Sequence, residues 1–326
     1  MRVVVVGGTG HIGTWLVPRL AAAGHEVISL SRGMRAPYRS SSWWSSVKQV
    51  EVDREAEDQA GTFGERIAAF EADTVVDLLC FTLDSATVLT SALEGTGTHL
   101  VHCGTIWVHG PGSLVPTVED QPVHPTSDYG RDKAEVEEHL LGLSRRGRLR
   151  STVLRAGHIS GPGWVPVGPT GNLDLGVVSA LARGEEVVLP GTGIESLHHV
   201  HAEDVAQAFA LAVAQPELAA SQTFHVVAAQ AVTLTGLATA IARWFGQEPR
   251  LAYLPFREWA ETVSPDQAAA TIDHIGRSPV MSIAKAQRVL GYAPRHTALQ
   301  ALHEAYAQLV ADGKIDAPGR AFSQLP

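Results

Sequence analysis

The sequence of 326 residues is poor in the features that mark secreted and membrane proteins. It has two cysteines, three methionines and 6% aromatic residues, and no apolar run approaches the ~18 residues that cross a bilayer. Two thiols cannot form the disulfide framework of a secreted domain. The N-terminal MRVVVVGG is too short in apolar residues for a signal-peptide core. We therefore expect a cytoplasmic protein with no membrane partner.

Positive charge is also scarce. Lys and Arg number 25 against 34 Asp and Glu, which gives a formal net charge of −9. A broad surface for the phosphates of nucleic acid is therefore not expected. The composition, 45% hydrophobic with 31 glycines and 18 prolines, is that of a globular protein. One residue is abundant: the 15 histidines raise the question of metal binding or acid-base chemistry.

Strand and helix patterns alternate through the first half of the chain. Valines 3 to 6 form a β-branched run that is typical of a strand buried on both faces, and residues 11–23 have helical apolar spacing, with Pro18 as a source of a kink. The alternation continues with predicted strands at 26–30, 47–52, 74–79, 98–103 and 151–155 and helices at 63–71, 84–94 and 129–146. This order predicts an α/β fold with a doubly wound parallel sheet of the Rossmann type.

The texture of the sequence changes after about residue 156, where GHISGPGWVPVGPTGN is dense in glycine and proline. We predict a dinucleotide-binding domain over residues 1–160 and a smaller C-terminal α/β substrate lobe over most of 161–326, with a helix near 173–183. A helical pattern at 201–214 and a strand pattern at 221–227 indicate that segments near 197–230 return to the first domain. Residues 39–46, RSSSWWSS, are predicted to form a mobile loop.

A glycine-rich turn separates the first strand from the first helix, with glycines at 7, 10 and 13. Glycine allows a tight turn and a close approach of the backbone to a pyrophosphate, and the helix N-terminus attracts the anion. A turn without a ligand is the alternative. Because the order, the spacing and the flanking elements all agree, we favour a dinucleotide site.

The end of the second predicted strand bears on the choice of cofactor. Ser31 and Arg32 follow it, with Arg35 close behind, and no acid is present to accept the ribose hydroxyls of NAD. An arginine offers two donors to the 2′-phosphate of NADP, so NADP is favoured over NAD, although an arginine can also stack on adenine. Asp53 follows the third strand and either accepts a hydrogen bond from adenine or is a turn acid.

Three side chains form a candidate proton-transfer site. Thr105 follows a predicted strand, and Tyr129 and Lys133 are four apart on one face of a predicted helix. A lysine one turn from a tyrosine is expected to lower the pKa of the phenol, and a threonine hydroxyl can orient a substrate oxygen. A surface tyrosine with a solvated lysine is the alternative, which the upstream glycine loop disfavours.

The chain resembles the extended short-chain dehydrogenase/reductase family, the NAD(P)-dependent epimerases and dehydratases. The resemblance covers nearly the whole chain through GGTGHIG, VVDLLCF, CGTIWVHG, YGRDK, LRAGHISGPG, HAEDVAQAF and SIAKAQRVLGYAP. It implies hydride transfer to or from a sugar-like or other hydroxyl or carbonyl substrate, with Thr105, Tyr129 and Lys133 catalytic, and a possible homodimer through the helix of Tyr129. The expected cofactor contacts are Gly7, Thr9, Gly10, His11, Ile12, Gly13, Ser31, Arg32, Asp53, Leu79 and Lys133.

The substrate side departs from the family pattern. His158 stands where many nucleotide-sugar enzymes have asparagine, and Leu197 stands where they have an arginine that holds a diphosphate, which argues against a UDP-sugar. Arg257 and Arg277 can compensate from the second lobe, although a surface position is favoured for each. The candidate substrate contacts are Trp107, His109, His158 and Trp164.

The cluster of His198, His199 and His201 has no third ligand at a recognisable spacing, and the family needs no metal. We therefore expect no metal site, and we expect His201 to help begin the following helix. The segments GGTG, SRG and HHVHAED also resemble the branch that contains chloroplast stem-loop-binding proteins. The alternative function is accordingly a non-catalytic cofactor-sensing or RNA-binding protein.

Overall fold

The computed structural model describes residues 1–317, 319 and 321–323. Its strands are β1 Arg2–Val6, β2 Glu26–Ser31, β3 Lys48–Glu51, β4 Thr74–Asp77, β5 His99–Thr105, β6 Arg150–Ala156, β7 His158–Ser160, β8 Glu186–Pro190, β9 Ser196–Leu197, β10 His199–His201, β11 Gln222–Val226, β12 Val232–Thr233 and β13 Arg250–Leu254. Its helices are α1 Gly13–Ala22, α2 Arg54–Gln59, α3 Phe63–Ala68, α4 Leu83–Leu93, α5 Asp128–Arg145, α6 Leu175–Arg183, α7 Ala202–Ala214, α8 Pro216–Ala219, α9 Leu234–Trp244, α10 Phe256–Ala260, α11 Pro265–Ile275, α12 Ala284–Leu290 and α13 Ala298–Ala311. Short 3-10 helices span Ser42–Ser46 and Ile106–His109.

The main sheet has seven strands, all parallel, in the order β11-β6-β5-β4-β1-β2-β3. The chain runs from β1 outward to β3 and then returns to β4 on the other side of β1. Such a reversal opens a crevice at the carboxyl ends of β1 and β4, which is where ligands bind in sheets of this kind. The predicted doubly wound Rossmann-type sheet is therefore confirmed.

Helices cover both faces of this sheet. Val3 and Val5 of β1 pack in one core with Leu16 of α1, while Val4 and Val6 pack in a second core with Phe63 of α3. A strand whose alternate side chains enter two different cores must be apolar at every position. This explains the unbroken run of valines in β1.

A third core is formed by buried side chains drawn from between residues 167 and 315, chiefly from α6, α9 and α13. Within the same part of the chain, β11 joins the main sheet beside β6, so residues after 160 contribute to both regions. The domain boundary at 160 stays a prediction. The last part of the predicted 161–326 lobe, at 318, 320 and 324–326, lies outside the described residues.

Local structure differs from the sequence predictions in two places. The segment predicted as a mobile loop contains the 3-10 helix Ser42–Ser46, because the hydroxyl of Ser41 accepts a hydrogen bond from Trp43 N at 3.3 Å. The helix predicted over 11–23 is confirmed as α1, with Pro18 inside it. The β4 strand ends at Asp77, so Leu79 lies in the loop beyond it. Among the described residues, no helix combines the length and the apolar character needed to span a membrane.

Candidate active site

The glycine loop is shaped by close backbone contacts. Gly7 has a φ of +89°, and the amides of Gly7 and Gly8 both donate to Leu30 O, at 2.9 and 3.1 Å. A Cβ on Gly13 would lie 2.4 Å from Gly8 O and 2.5 Å from Gly7 O, so no larger residue fits there. Ile12 at the N-cap of α1 offers no side-chain acceptor. The positive end of α1 is therefore available to an anion.

A cavity of about 890 Å³ opens beside this loop at the sheet crevice. It reaches from the glycine loop past the ends of β2 and β3 to the loop after β4. The predicted cofactor residues that line it are Gly7, Thr9, Gly10, Ser31, Arg32, Asp53 and Leu79. The volume and the glycine cradle fit a dinucleotide.

His11 packs against two aromatic rings. Its ring stacks on Trp164 at 5.2 Å and meets Tyr38 edge-on at 5.9 Å, and burial lowers the pKa of His11 to about 4. A Cβ on Gly163, where φ is +88°, would lie 2.4 Å from the Tyr38 ring. The structure thus places Trp164, a candidate substrate contact, over the glycine loop and in the lining of the cavity.

The rim of the cavity near β2 and β3 is charged. Arg32 and Arg35 are exposed and line the cavity, and neither has a carboxylate within 4.0 Å among the described residues. Asp53 is the N-cap of α2, with its carboxylate accepting from Ala56 N at 3.2 Å. Asp53 therefore occupies a turn, as one of the two alternatives predicted, and it also lines the cavity.

A buried ion pair supports the floor of the cavity and was not foreseen from the sequence. Arg54, 8% exposed, pairs with Asp77, 1% exposed, and also with Asp58 at 3.2 Å. The carboxylate of Asp77 accepts a hydrogen bond from Leu79 N at 3.1 Å. This pair fixes the loop after β4. The signal that could have found it is an acid at the end of an otherwise apolar strand.

Thr105 and Tyr129 are brought together by the ends of β5 and α5. The hydroxyl of Ser127 caps α5 by accepting from Gly130 N at 3.2 Å, which places Tyr129 in the first turn. The side chains of Tyr129 and Thr105 are neighbours, and Thr105 Oγ1 accepts from Trp107 N at 3.2 Å. Burial of the hydroxyl and the nearby Cys103 raise the pKa of Tyr129 to about 12, although the residue is 41% exposed and Thr105 opposes the shift. The group is a protonated phenol at neutral pH.

Lys133 lies beneath this pair and is only 3% exposed. Its ammonium donates to Cys80 O at 2.7 Å, to Cys103 O at 2.5 Å and to His102 Nε2 at 3.1 Å. The three protons therefore go to protein acceptors. Burial lowers the pKa of Lys133 and the pKa of His102. The expected lowering of the Tyr129 pKa by Lys133 is not found, since the ammonium is engaged elsewhere.

Trp107 connects Tyr129 to a second group of buried side chains. Its ring lies 5.5 Å from Tyr129, 5.1 Å from His274 and 6.3 Å from His158, and Arg277 Cζ lies 3.6 Å from its centroid. Arg277 is 6% exposed, so the surface position favoured from the sequence is wrong, whereas Arg257 is exposed.

His199 completes this group, with its ring 5.4 Å from His158, its strand neighbour in the β7-β10 pair. We call Trp107, His158, His199, His274 and Arg277 the Arg277 cluster. The cluster gathers residues that are up to 170 positions apart in the chain, from 107 to 277, and nothing in the local sequence of His274 points to it.

His109, another candidate substrate contact, lies in the interior. It is 3% exposed, and its Nε2 lies 2.9 Å from both His225 Nε2 and Arg155 Nη1, while Nδ1 lies 3.3 Å from Pro122 O. Arg155 is itself paired with Glu137 in a buried ion pair. Both ring nitrogens of His109 are thus occupied by protein groups, and its position favours a structural role.

Each histidine at 198, 199 and 201 has at least one ring nitrogen hydrogen-bonded to the protein. His201 Nδ1 accepts from Glu203 N at 2.9 Å at the N-cap of α7, which confirms its expected role at the start of that helix. His201, Glu203 and His296 have donor atoms within 4.8 Å of one another. With Nδ1 of His201 acting as an acceptor, the neutral ring carries its proton on Nε2, the atom that a metal would need.

The comparison with known families and proteins matches these features. The sequence model of the NAD dependent epimerase/dehydratase family matches residues 3–79 and 81–228. A 2′-dehydrokanamycin reductase of Streptomyces kanamyceticus is 30% identical over 210 residues, which are 64% of this chain and 57% of that protein. The match therefore spans little more than half of that relative.

Two further likenesses extend over most of the chain. A chloroplast stem-loop binding protein of 41 kDa from Arabidopsis thaliana is 26% identical over 316 residues, 94% of this chain and 78% of that protein. The crystal structure of a dTDP-glucose 4,6-dehydratase from Bacillus anthracis in complex with NAD has a TM-score of 0.74 at 17% identity, covering 96% of this chain and 98% of that one. At this identity the structural likeness shows the fold alone.

Proposed function

Because the chain belongs to the NAD-dependent epimerase/dehydratase family, we propose that it catalyses hydride transfer between NADP and a hydroxyl or carbonyl compound, with Tyr129 as the acid/base. When bound, the nicotinamide cofactor supplies or accepts the hydride. The observation that carries the proposal is the placement of Thr105 next to Tyr129, with Lys133 one turn further along the same helix. The ring of Phe81 lines the cofactor cavity and lies 5.3 Å from Lys133 Nζ, so the cavity approaches this place.

Each side chain has a distinct part in the proposed reaction. Thr105 holds the substrate oxygen, and Tyr129 gives a proton to that oxygen or removes one from it. The phenol, with a pKa raised to about 12, carries its proton at neutral pH, which is the state needed to protonate the oxygen in carbonyl reduction. Lys133 fixes the carbonyls of Cys80 and Cys103 and so keeps the ends of β4 and β5 in place.

The choice of NADP rests on the rim of the cavity. Arg32 and Arg35 are exposed there without an ion-pair partner in the described part of the chain, so both are free to meet a 2′-phosphate. Family membership alone fits either cofactor. The cofactor contacts named from the sequence, together with Thr105, Tyr129 and Lys133, form the site that we propose.

Equilibrium binding tests the cofactor assignment. We expect NADP⁺ to bind more tightly than NAD⁺, and Arg32→Ala to weaken NADP⁺ by about tenfold or more while leaving NAD⁺ nearly unchanged. Arg243→Ala, which removes an exposed arginine on α9, is the matched control. Tighter binding of NAD⁺, or an equal loss for both cofactors in Arg32→Ala, would contradict the assignment.

A non-catalytic RNA-binding role is the second candidate, and the likeness to the chloroplast stem-loop binding protein favours it. The net charge of −9 counts against it. Binding of a stem-loop RNA, measured at several salt concentrations, separates the two. Strong, salt-dependent binding without hydride transfer would favour the second candidate.

We further propose a homodimer through α5 and a cytoplasmic location. The dimer follows from the family resemblance, and the location follows from the two free thiols Cys80 and Cys103. Light scattering of the purified protein tests the dimer. A monomer at micromolar concentration would exclude it.

A further inference from the structure

We propose that the Arg277 cluster binds a carboxylate group of the substrate. The inference rests on the proposed function, because it takes the ligand of the cluster to be the compound on which Tyr129 acts. Trp107 is the physical link, with the Tyr129 ring on one side and Arg277 over its face. None of the proton-transfer roles described above uses His158, His199, His274 or Arg277.

The cluster contains buried polar atoms that the protein leaves unsatisfied. Both ring nitrogens of His158, Nε2 of His199 and Nη2 of Arg277 have no hydrogen-bond partner within the described residues. These three side chains are 7%, 0% and 6% exposed. Buried donors and acceptors are nearly always paired in folded proteins, because an unpaired one keeps its full desolvation penalty. A neutral imidazole has one donor and one acceptor nitrogen, so these atoms supply at most three donors, Nη2 of Arg277 and one nitrogen on each histidine. Such a set of donors fits a ligand with oxygen acceptors.

The positive charge of the cluster indicates that its ligand is negatively charged. No carboxylate lies within 4.0 Å of the Arg277 guanidinium among residues 1–317, 319 and 321–323. The exposed carboxylate of Asp273 acts on Arg277 from a greater distance and raises its pKa. Burial lowers the pKa of Arg277 to about 10, so the group stays charged at neutral pH. Burial also lowers the pKa of His158, His199 and His274, so these rings are neutral. The cluster therefore carries one uncompensated positive charge.

A carboxylate matches this arrangement better than a phosphate or a hydroxyl group. Its single negative charge balances the guanidinium, and its two oxygens fit the planar fork of arginine donors. A phosphate monoester carries about −1.5 to −2 near neutral pH and would leave negative charge buried among neutral rings. A hydroxyl group would leave the buried cation without a counter-ion. The indole of Trp107 at 3.6 Å holds the guanidinium in place without using its N–H groups.

Three probes that share one sugar frame test the proposal by calorimetry. D-glucuronate carries a carboxylate at the position where D-glucose has a hydroxyl group and D-glucose 6-phosphate has a phosphate. With the wild-type protein saturated with NADP⁺, we expect glucuronate to bind about tenfold or more tightly than either of the others. Equal affinities, or no binding of glucuronate, would overturn the proposal, and tighter binding of the phosphate would replace the carboxylate with a phosphate.

Variants assign the preference to Arg277. Arg277→Gln should reduce glucuronate affinity to that of glucose, and Arg277→Lys, which keeps the charge without the fork, should keep part of the preference. Arg257→Gln, at an exposed arginine of the same lobe, should keep all of it. Unchanged NADP⁺ affinity shows that Arg277→Gln is folded. A preference that survives in Arg277→Gln would overturn the assignment.

The same titrations separate this inference from the proposed function. Tyr129→Phe should leave the preference for glucuronate intact, since Tyr129 contributes no charge to the cluster. If NADP⁺ does not bind but glucuronate is still preferred over glucose, the proposed function fails while the carboxylate site stands. If NADP⁺ binds and the preference is absent, the carboxylate site fails alone.

Discussion

The cofactor cavity and the Arg277 cluster are built in different ways. The cavity is open, its glycine loop is a continuous stretch of backbone, and its arginines face outward at the rim. The Arg277 cluster is largely buried, and its residues come from the 3-10 helix after β5, from β7 and β10, and from the end of α11 and the loop beyond it. A site made of backbone can serve a whole family, whereas a site made of distant side chains can differ from one member to the next.

Acid should act on three histidines of the Arg277 cluster and on one histidine, His11, beside the cavity. Burial lowers the pKa of His199 to about 3, and it also lowers the pKa of His158 and His274. Between pH 6.5 and about 3 the unfolded chain therefore binds protons that the native cluster does not, so stability is present above pH 6.5 and is lost as the pH falls. For His199 alone the loss by pH 5 is about 2 kcal/mol.

Urea unfolding at pH values from 7.5 down to 5 measures this loss. His199→Gln should reduce the slope of unfolding free energy against pH by about one proton. His124→Gln, at an exposed histidine, is the matched substitution for the loss of an imidazole. An unchanged slope in His199→Gln would show that His199 is not a neutral buried ring in the native protein.

Removing the Tyr129 hydroxyl should separate chemistry from cofactor binding. Tyr129→Phe keeps the ring against Trp107 but loses the proton donor, so we expect turnover to fall by about 10²- to 10⁴-fold. NADP⁺ affinity should change little, because Tyr129 does not line the cavity. The absorbance of reduced nicotinamide gives turnover, and calorimetry gives affinity. Full turnover in this variant would exclude Tyr129 as the acid/base.

Gly13→Ala should affect the cavity and leave the Arg277 cluster unchanged. The added Cβ meets Gly8 O and Gly7 O at about 2.4 to 2.5 Å, so α1 must move away from the loop. We expect NADP⁺ affinity to fall by about tenfold or more and glucuronate preference to persist. Gly142→Ala in α5 is the control, since its Cβ meets only the end of the Arg146 side chain at 3.3 Å. Equal changes of NADP⁺ affinity in Gly13→Ala and Gly142→Ala would show that the glycine loop does not bind the cofactor.

These two regions also differ in how far the sequence could predict them. The valines of β1 and the glycines after them form a local pattern with one physical explanation, so the sheet and the loop were predictable from a short stretch of chain. The positions of Thr105 and Tyr129 followed from the spacing of motifs in a known family. Local patterns and family motifs together were enough for the sheet and the candidate proton-transfer pair.

The Arg277 cluster could not be predicted in the same way. Arg277 has the local sequence of a surface residue, and its burial over Trp107 arises only when the second lobe packs on the sheet. The partners of Lys133 were also hidden, because the carbonyls of Cys80 and Cys103 are backbone groups that any residue would supply. Contacts between remote segments depend on the packed fold, which sequence spacing does not contain.

The smallest predicted effect concerns the Ser127 cap at the start of the helix that carries Tyr129. Ser127 caps α5, the helix that carries Tyr129 in its first turn, while Thr297 caps α13, accepting from Gln300 N at 3.1 Å. Ser127→Ala and Thr297→Ala should each reduce the unfolding free energy by about 1 kcal/mol. Only Ser127→Ala should also reduce turnover, because fraying of the first turn moves the phenol away from Thr105. If Ser127→Ala and Thr297→Ala lose turnover equally, the loss of turnover follows from lower overall stability. The Ser127 cap would then have no part in positioning Tyr129.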